Sequence, residues 1–479
     1  MTTRLGGACE PLVQAHSGRS GVVPLPDGHD AFAARALLAD AAERTLDLQY
    51  YIWHNDMSGT LLFTALRRAA DRGVRVRLLL DDNNTTGLDA LLAALDAHPN
   101  IEVRLFNPFK ARRWRLLGYL TDFKRLNRRM HNKSFTADGQ VTIIGGRNVG
   151  DEYFDAGQAP WFVDLDVLAI GPVVSDVSRN FDRYWASALS IPAARLLPKA
   201  TPASLAAVAA EAARVEHDPA AATYIEALRR SPFVRDLLAH RLTLEWAATR
   251  MISDDPAKAL GHAPEHALLW PRLKESLGAP VQALRVVSPY FVPGTAGVEA
   301  LARLAGQGVQ IAVLTNALEA TDVAVVHAGY AKRRMALLAA GITLFELKRG
   351  SSRRKANRGR WPGGSGTGSS GSSLHAKTVA VDRSRVFIGS FNFDPRSARL
   401  NTEMGFVIDS AALADAIAER FTDEVPTRAY QVRLGDGGEM HWIDRDDGTE
   451  VVHAAEPGTN AWRRLAVSVL SWLPIEWLL

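Results

Sequence analysis

His131, Lys133 and Asp138 recur at the same intervals as His375, Lys377 and Asp382, so the pattern HxKxxxxD is written twice. Each copy runs on to a glycine-containing turn that ends in asparagine. These turns are Gly145-Gly146-Arg147-Asn148 and Gly389-Ser390-Phe391-Asn392, and His and Asn are separated by 17 residues both times (131 to 148, 375 to 392). A lone histidine is usually a satisfied core or surface residue. A multi-position pattern repeated at fixed spacing is an internal duplication and marks the candidate site.

In an extended strand, residues i and i+2 share a face. His131 and Lys133 therefore project together, as do His375 and Lys377. Thr142-Ile143-Ile144 and Val386-Phe387-Ile388 read as neighbouring buried strands. Two such units facing one another would gather two imidazoles, two ammoniums and two amides in one small volume. That set suits a phosphate ester. The lysines and asparagines can hold non-bridging oxygens. A neutral imidazole can attack phosphorus while a protonated one hands its proton to the leaving oxygen. The division of labour asks for two histidine pKa values pushed apart. No metal or other cofactor is expected, because neither motif offers HxxxH, HExxH or CxxC spacing and the adjacent lysine would repel a cation. Asp138 and Asp382 complete the candidate set, although position +7 from the histidine suits a structural role better than a catalytic one.

The duplicated motif resembles the signature of the phospholipase D superfamily. Further segments, including Leu48 to Trp53, Asp71 to Asn83, Arg104 to Phe109 and Asn148 to Phe154, resemble bacterial cardiolipin synthases, and most closely the C-type branch. The resemblance spans roughly residues 20 to 479. It implies an α/β fold of two duplicated phospholipase D-like α/β/α sandwich halves about a pseudo-twofold axis, with a helical connector. It also implies a two-step phosphatidyl transfer. His131 would be the nucleophile, and His375 would protonate the departing alcohol and then deprotonate the incoming one. Lys133, Lys377, Asn148 and Asn392 would stabilise phosphoryl charge. A downstream acid would orient each histidine: Glu403 for His375, and Asp164 or Asp166 for His131. Ser390 is a candidate phosphate contact, and Gly146 in the first copy removes the matching hydroxyl.

Composition bounds these readings. The chain of 479 residues, with 47% hydrophobic and 23% charged residues, is long enough for two packed domains of ordinary globular character. Its one cysteine, Cys9, rules out an intrachain disulfide. No apolar run reaches transmembrane length, so a lipid enzyme of this sequence would sit on the membrane; the expected place is the cytoplasmic face of a bacterial inner membrane.

The elements repeat as the motif does. Leu46 to Trp53, Val74 to Leu80 and Ile101 to Phe106 read as strands separated by helices, echoed by Leu284 to Phe291, Gln307 to Leu314 and Ile342 to Leu347. Strands alternating with helices give an α/β layered fold. The divisions read from the chain are a lead-in at 1–25, a first half at 26–194, a helical connector at 195–275, a second half at 276–430 and a C-terminal extension at 431–479. Tyr51 and Tyr290, at matching strand ends, are candidate substrate contacts or packing aromatics.

Three segments could meet a membrane. Lys110 to Arg129 is basic and studded with aromatics, which suits an anionic lipid surface, nucleic acid phosphates or a solvated helix. Lys348 to Arg360 is basic and precedes the Gly- and Ser-rich stretch Pro362 to Ser373. The tail from Trp462 to Leu479 carries three tryptophans, suited to an interfacial anchor or to core packing. The favoured function is a cardiolipin synthase, with a phospholipase D hydrolase and a nucleic-acid phosphodiesterase as alternatives. The partners implied are phosphatidylglycerol and a second phospholipid such as phosphatidylethanolamine, a membrane surface, and room for an accessory protein; nucleic acid is not expected.

Overall fold

The computed structural model describes residues 2–110, 112–154, 164–321, 323–349, 374–446 and 449–472. The first half contributes eight strands: β1 (Ser20–Leu25), β2 (Thr45–Tyr50), β3 (Arg75–Asp81), β4 (Ile101–Phe106), β5 (Ser134–Ala137), β6 (Val141–Gly145), β7 (Asp166–Ile170) and β8 (Ser190–Pro192). β9 (Glu245–Ser253) follows. The second half carries β10 (Ala283–Val287), β11 (Gln310–Asn316), β12 (Thr343–Leu347), β13 (Thr378–Val381), β14 (Arg385–Gly389) and β15 (Met404–Asp409). It ends in β16 (Ala429–Leu434), β17 (Met440–Asp446) and β18 (Thr449–His453).

The pairing repeats. β4-β3-β2-β5-β6-β7 in one half matches β12-β11-β10-β13-β14-β15 in the other. The first three strands of each series run parallel and the others antiparallel. Parallel neighbours need a crossover, usually a helix. Met57–Asp71 and Asp89–Asp96 supply it in the first half, Gly294–Gly306 and Ala324–Ala339 in the second. Burial on both faces explains unbroken apolar runs such as Leu78-Leu79-Leu80.

β7 pairs with β1, β1 with β9, and β9 with β15, so the two sheets join into one through a central antiparallel pair. The pseudo-twofold passes between β1 and β9. Each half has its own core, around Leu46, Leu48 and Leu78 on one side and Leu284, Val286 and Leu344 on the other. A third core is shared, with Ile144, Val167 and Ala169 packed among Leu314, Ile388 and Phe406. Burial of this apolar seam fixes how the two halves meet.

Two stretches differ from the sequence reading. The lead-in holds the helix Arg4–Ala15, capped by Thr3 and buried through Leu5, Ala8 and Cys9, followed by β1. Gly6 and Gly7 are poor helix formers and hide it. The stretch 195–275 is helical over Pro202–Glu216, Ala222–Arg230 and Phe233–Leu238, but it also supplies β9, the strand that joins the halves.

Candidate active site

Both motifs reach the site in the same way. His131 and Lys133 immediately precede β5, and His375 and Lys377 precede β13. β6 and β14 end at the glycine turns that carry Asn148 and Asn392. Asp138 and Asp382 lie at the far ends of these strands. Both adopt a left-handed backbone, φ 53° and 51°. The Asp138 carboxylate accepts from the backbone N–H groups of Glu43, Arg44 and Thr45, and Asp382 accepts from those of Val281, Gln282 and Ala283. Both carboxylates are engaged in the fold: each pins the entry of β2 or β10 against the motif strand.

The orienting acids cross between the halves. Register places Asp164 and Glu403 at equivalent positions, two residues before Asp166 and Gly405, which pair with Gly145 and Gly389. Glu403 Oε2 lies 2.8 Å from His131 Nδ1, and Asp164 Oδ2 lies 2.7 Å from His375 Nδ1. The expectation that each acid serves the histidine of its own half is thus reversed. The physical reason is the central strand pair, which turns the starts of β7 and β15 toward the opposite motif. Backbone bonds reinforce the crossing: His131 N donates to Thr402 O, and Thr402 N donates to Arg129 O, both at 2.9 Å. Asp166, the alternative orienter, instead pairs with the buried Arg35 at 2.8 Å and Arg147 at 3.5 Å.

Gly146 and Ser390 take a different meaning from the one expected. Ser390 is buried and its hydroxyl donates to Glu403, so it holds the orienting acid rather than a phosphate. A Cβ at Gly146 would lie 2.1 Å from Asp164 Oδ1. The shorter acid comes close to its turn and requires glycine there; the longer Glu403 leaves room for a serine.

The tyrosines also need correction. Trp53 bridges to Val149 and Phe291 to Phe393, the residues following each motif asparagine. Trp53 and Phe291 are therefore equivalent, and Tyr290 matches Ile52 rather than Tyr51. Tyr51 meets His131 edge-on at 5.1 Å. The ring that meets His375 in the same way, at 5.2 Å, belongs to Tyr153, which the sequence reading did not single out as a site residue. Burial and then Glu152 push the Tyr153 pKa well above its usual value, and nearby Tyr290 adds to the effect.

The family described as "Cardiolipin synthase, PLD-like domain" matches residues 36–185 and 273–425, once in each half. Cardiolipin synthase C of Escherichia coli (strain K12) is 53% identical over 479 residues, covering 99% of this chain and 100% of its own. The chain belongs to the phospholipase D-like cardiolipin synthase family. A more distant relative, cardiolipin synthase A of Pseudomonas entomophila, is 26% identical over 88% of this chain and 71% of its own. Among solved structures, the phosphatidylserine synthase of Haemophilus influenzae Rd KW20 shares the fold, with a TM-score of 0.55 at 12% identity over 88% of this chain and 92% of that one.

Within this family member the two histidines have unlike surroundings. His131 has 9% of its side chain exposed, against 26% for His375. Burial, and then Lys133, Lys377 and His375, push the His131 pKa well below its usual value. The His375 pKa is lowered by burial and by Lys377, but Asp164 opposes both. Glu403 is raised to about 7 by burial, in spite of Lys133. Asp164 goes the other way: burial alone would raise it, but His375 and Arg147 hold it below the carboxylate range. Lys133 is lowered to about 7, chiefly by burial.

His131 Nδ1 also lies 3.1 Å from the carbonyl oxygen of Ser390, which can only accept. Nδ1 therefore carries the proton and Nε2 the lone pair. Lys133 Nζ donates to His131 O at 2.6 Å, and Lys377 Nζ donates to His375 O. Asn148 Oδ1 accepts from Ile52 N at 3.2 Å, while its buried Nδ2 makes no well-formed hydrogen bond among the described residues and is turned toward the Tyr153 hydroxyl. Buried donors seldom stay unpaired, so this amide suits an incoming phosphoryl oxygen. Asn392 Oδ1 is likewise unpartnered, and a turn of its amide would present the NH2 there.

Behind His131 lies a buried network that sequence reasoning missed. Ser397 Oγ donates to Glu403 Oε1, Lys258 Nζ donates to Asp254 Oδ2 and to Ser397 O, and Asp254 Oδ2 accepts from Glu403 N, at 2.8 to 2.9 Å. Asp254 and Lys258 come from the end of the connector, outside either motif repeat, where no periodicity marks them.

The basic segments are only partly as expected. Arg112 pairs with Asp82, Arg129 with Asp81 at 2.7 Å, and Arg125 with Asp122 at 2.7 Å, while Arg128 donates to Lys258 O. Arg112 and Arg129 thus brace the end of β3 and its loop, whereas Arg125 holds its own segment and Arg128 ties it to the connector. The greater part of the second basic run and the glycine-rich stretch, residues 350–373, lie outside the described residues, as do 473–479 of the tail.

Proposed function

We propose that the protein makes cardiolipin by transferring a phosphatidyl group to phosphatidylglycerol through a phosphatidyl-histidine intermediate on His131. The observation that carries this reading is the crossed and unequal pair of acids. His131, kept neutral and fixed as the Nδ1–H form, offers the Nε2 lone pair to phosphorus. His375, beside an ionised Asp164, is the better holder of a proton.

In the first step Nε2 of His131 bonds to phosphorus, the bond from phosphorus to the leaving headgroup oxygen breaks, and the His375 proton passes to that oxygen. In the second step His375 takes the proton from the primary hydroxyl of phosphatidylglycerol. The resulting oxygen bonds to phosphorus and the P–N bond breaks, restoring both histidines. Lys133, Lys377 and the Asn148 amide face the oxygens on which charge develops. A substrate phosphate would draw Lys133, poised near 7, to its charged form. Phosphatidylglycerol and phosphatidylethanolamine both serve as candidate donors. Among the described residues no helix is long and apolar enough to cross a membrane, which supports peripheral association; the cytoplasmic face and an accessory protein belong to the same reading.

The test is mass spectrometry of lipids after incubating the full chain with phosphatidylglycerol vesicles, with and without phosphatidylethanolamine. Cardiolipin is expected, with a phosphatidyl adduct on His131 in the unmutated protein quenched during turnover, and neither product nor adduct in His131→Ala. Phosphatidic acid as the sole product would make the protein a hydrolase, and an adduct on His375 would overturn the assignment of the nucleophile.

A further inference from the structure

Two apolar patches lie exposed on elements far apart in the chain. The first is Trp114, Leu120 and Phe123, with Leu120 82% exposed. The second lies along one side of the helix Ala461–Ser471 and its C-cap: Trp462, Leu465, Val469 and Trp472, with Trp472 82% exposed. The opposite side of that helix is covered, with Val467 buried against Leu318 and Ala328. Its length therefore divides between a packed face and an open apolar one. Solvent-facing tryptophans and leucines in such rows are costly unless something covers them.

The pseudo-twofold gives the two patches a common address. β3 ends at Asp81, whose carboxylate accepts from the backbone N–H of Met130 at 2.8 Å, immediately before His131. The equivalent strand β11 ends at Asn316, whose side chain accepts from Leu374 N at 2.9 Å, immediately before His375. The segment bearing the first patch clamps the loop directly after β3. Phe109 N donates to Asp82, Arg115 to Asp82 O, and Tyr119 Oη to Asn83 Oδ1. The helix bearing the second patch sits on the loop directly after β11, where Arg463 donates to Thr321 O and Val467 packs on Leu318. Each patch thus rides on the loop beyond the strand end that seats one of the two histidines.

We propose that these patches form one membrane-docking face that flanks the mouth of the site from both halves and sets the full-length protein on a phospholipid surface. The inference rests on the lipid-transfer reading above. A lipid surface is favoured over a protein because the patches are paired about the site rather than joined into one area. Their tryptophans suit the headgroup boundary, and the exposed Lys110 and Lys124 beside the first patch suit anionic lipid. Docking there would present headgroups to both histidines without lifting a lipid fully into water.

The test compares Leu120→Glu/Phe123→Glu and Leu465→Glu/Trp472→Glu in the full chain. Sedimentation with phosphatidylglycerol–phosphatidylcholine vesicles reads binding, and turnover of soluble short-chain phosphatidylglycerol reads the chemistry. Each pair is expected to lower vesicle binding about tenfold or more and to leave soluble turnover within about twofold of the unmutated protein, which also shows that the variants fold. Unchanged vesicle binding by either pair overturns the proposal. So does a variant that only converts a self-associated form to monomer, since the face would then join copies of this chain. An unmutated protein that binds vesicles through these residues but turns over no soluble lipid overturns the activity and supports the docking face.

Discussion

Asp164→Asn tests the crossed arrangement most directly, because the mutated residue and the affected histidine belong to different halves. In the structure Asp164 Oδ1 accepts from Leu165 N at 2.8 Å while Oδ2 faces His375 Nδ1 at 2.7 Å. An asparagine that keeps its carbonyl on Leu165 N turns its NH2 toward Nδ1. His375 is then driven to the tautomer with its proton on Nε2 and loses the partner of its cationic form. A charge-assisted hydrogen bond of this kind is worth about 1.5–3 kcal/mol, which corresponds to about 10- to 150-fold in kcat.

The pH dependence has a definite sign. Burial and Lys377 lower the His375 pKa and Asp164 opposes them, so removing the carboxylate lowers it further. The alkaline limb of the rate profile, where His375 loses its proton, moves to lower pH. Ring-nitrogen NMR of labelled histidine should show the titration of His375 displaced and that of His131, which faces Glu403, unchanged. A displaced His131 with His375 unmoved would refute the crossing, and a loss of kcat below about threefold would refute the role given to the pair.

Other consequences are open to measurement. Gly146→Ala should abolish turnover, because its Cβ would meet Asp164 Oδ1 at 2.1 Å; near-normal activity by the lipid assay would remove the reason given for glycine there. Asp138→Ala leaves three backbone N–H groups without their acceptor and should cost about 1–3 kcal/mol in denaturant unfolding, with kcat held within about threefold. Asp166→Ala strands Arg35 and Arg147 in the core and should cost about 3–5 kcal/mol in the same assay. Glu403→Gln should raise the melting temperature at pH 8 but not at pH 5, while it slows turnover. The folded pKa of about 7 lies above the ordinary carboxylate value, so stability falls as pH rises between the two, by up to about 3 kcal/mol, and the amide is spared that fall.

The parts of this molecule that repeat were legible in the sequence. HxKxxxxD with its trailing asparagine located both histidines, both lysines and both amides, and alternating strands and helices located the two halves. What could not be read was everything that depends on how the halves meet. Glu403 stood out as an acid downstream of His375, yet nothing in linear spacing says which imidazole it will face. Tyr290 sat at a strand end like Tyr51, but a one-residue offset moves a side chain to the other face, and the match passed to Tyr153. Within the basic segment, Arg112 and Arg129 looked like surface cations because their acidic partners, Asp82 and Asp81, lie at a strand end distant in sequence.

The crossing ties folding to chemistry. Each half by itself holds a histidine without its acid and an acid without its histidine. His131 becomes the fixed Nδ1–H tautomer only when Ser390 O and Glu403 arrive from the second half, and His375 gains its anionic partner only from the first. The halves also differ where they need to. Burial raises Glu403 to about 7 even though Lys133 and the Ser390 hydroxyl pull it down, whereas His375 and Arg147 keep Asp164 ionised against its own burial. Duplication accounts for two like sites, and the unlike charge of the two acids is what the proposed reaction asks for, with one histidine attacking and the other carrying the proton.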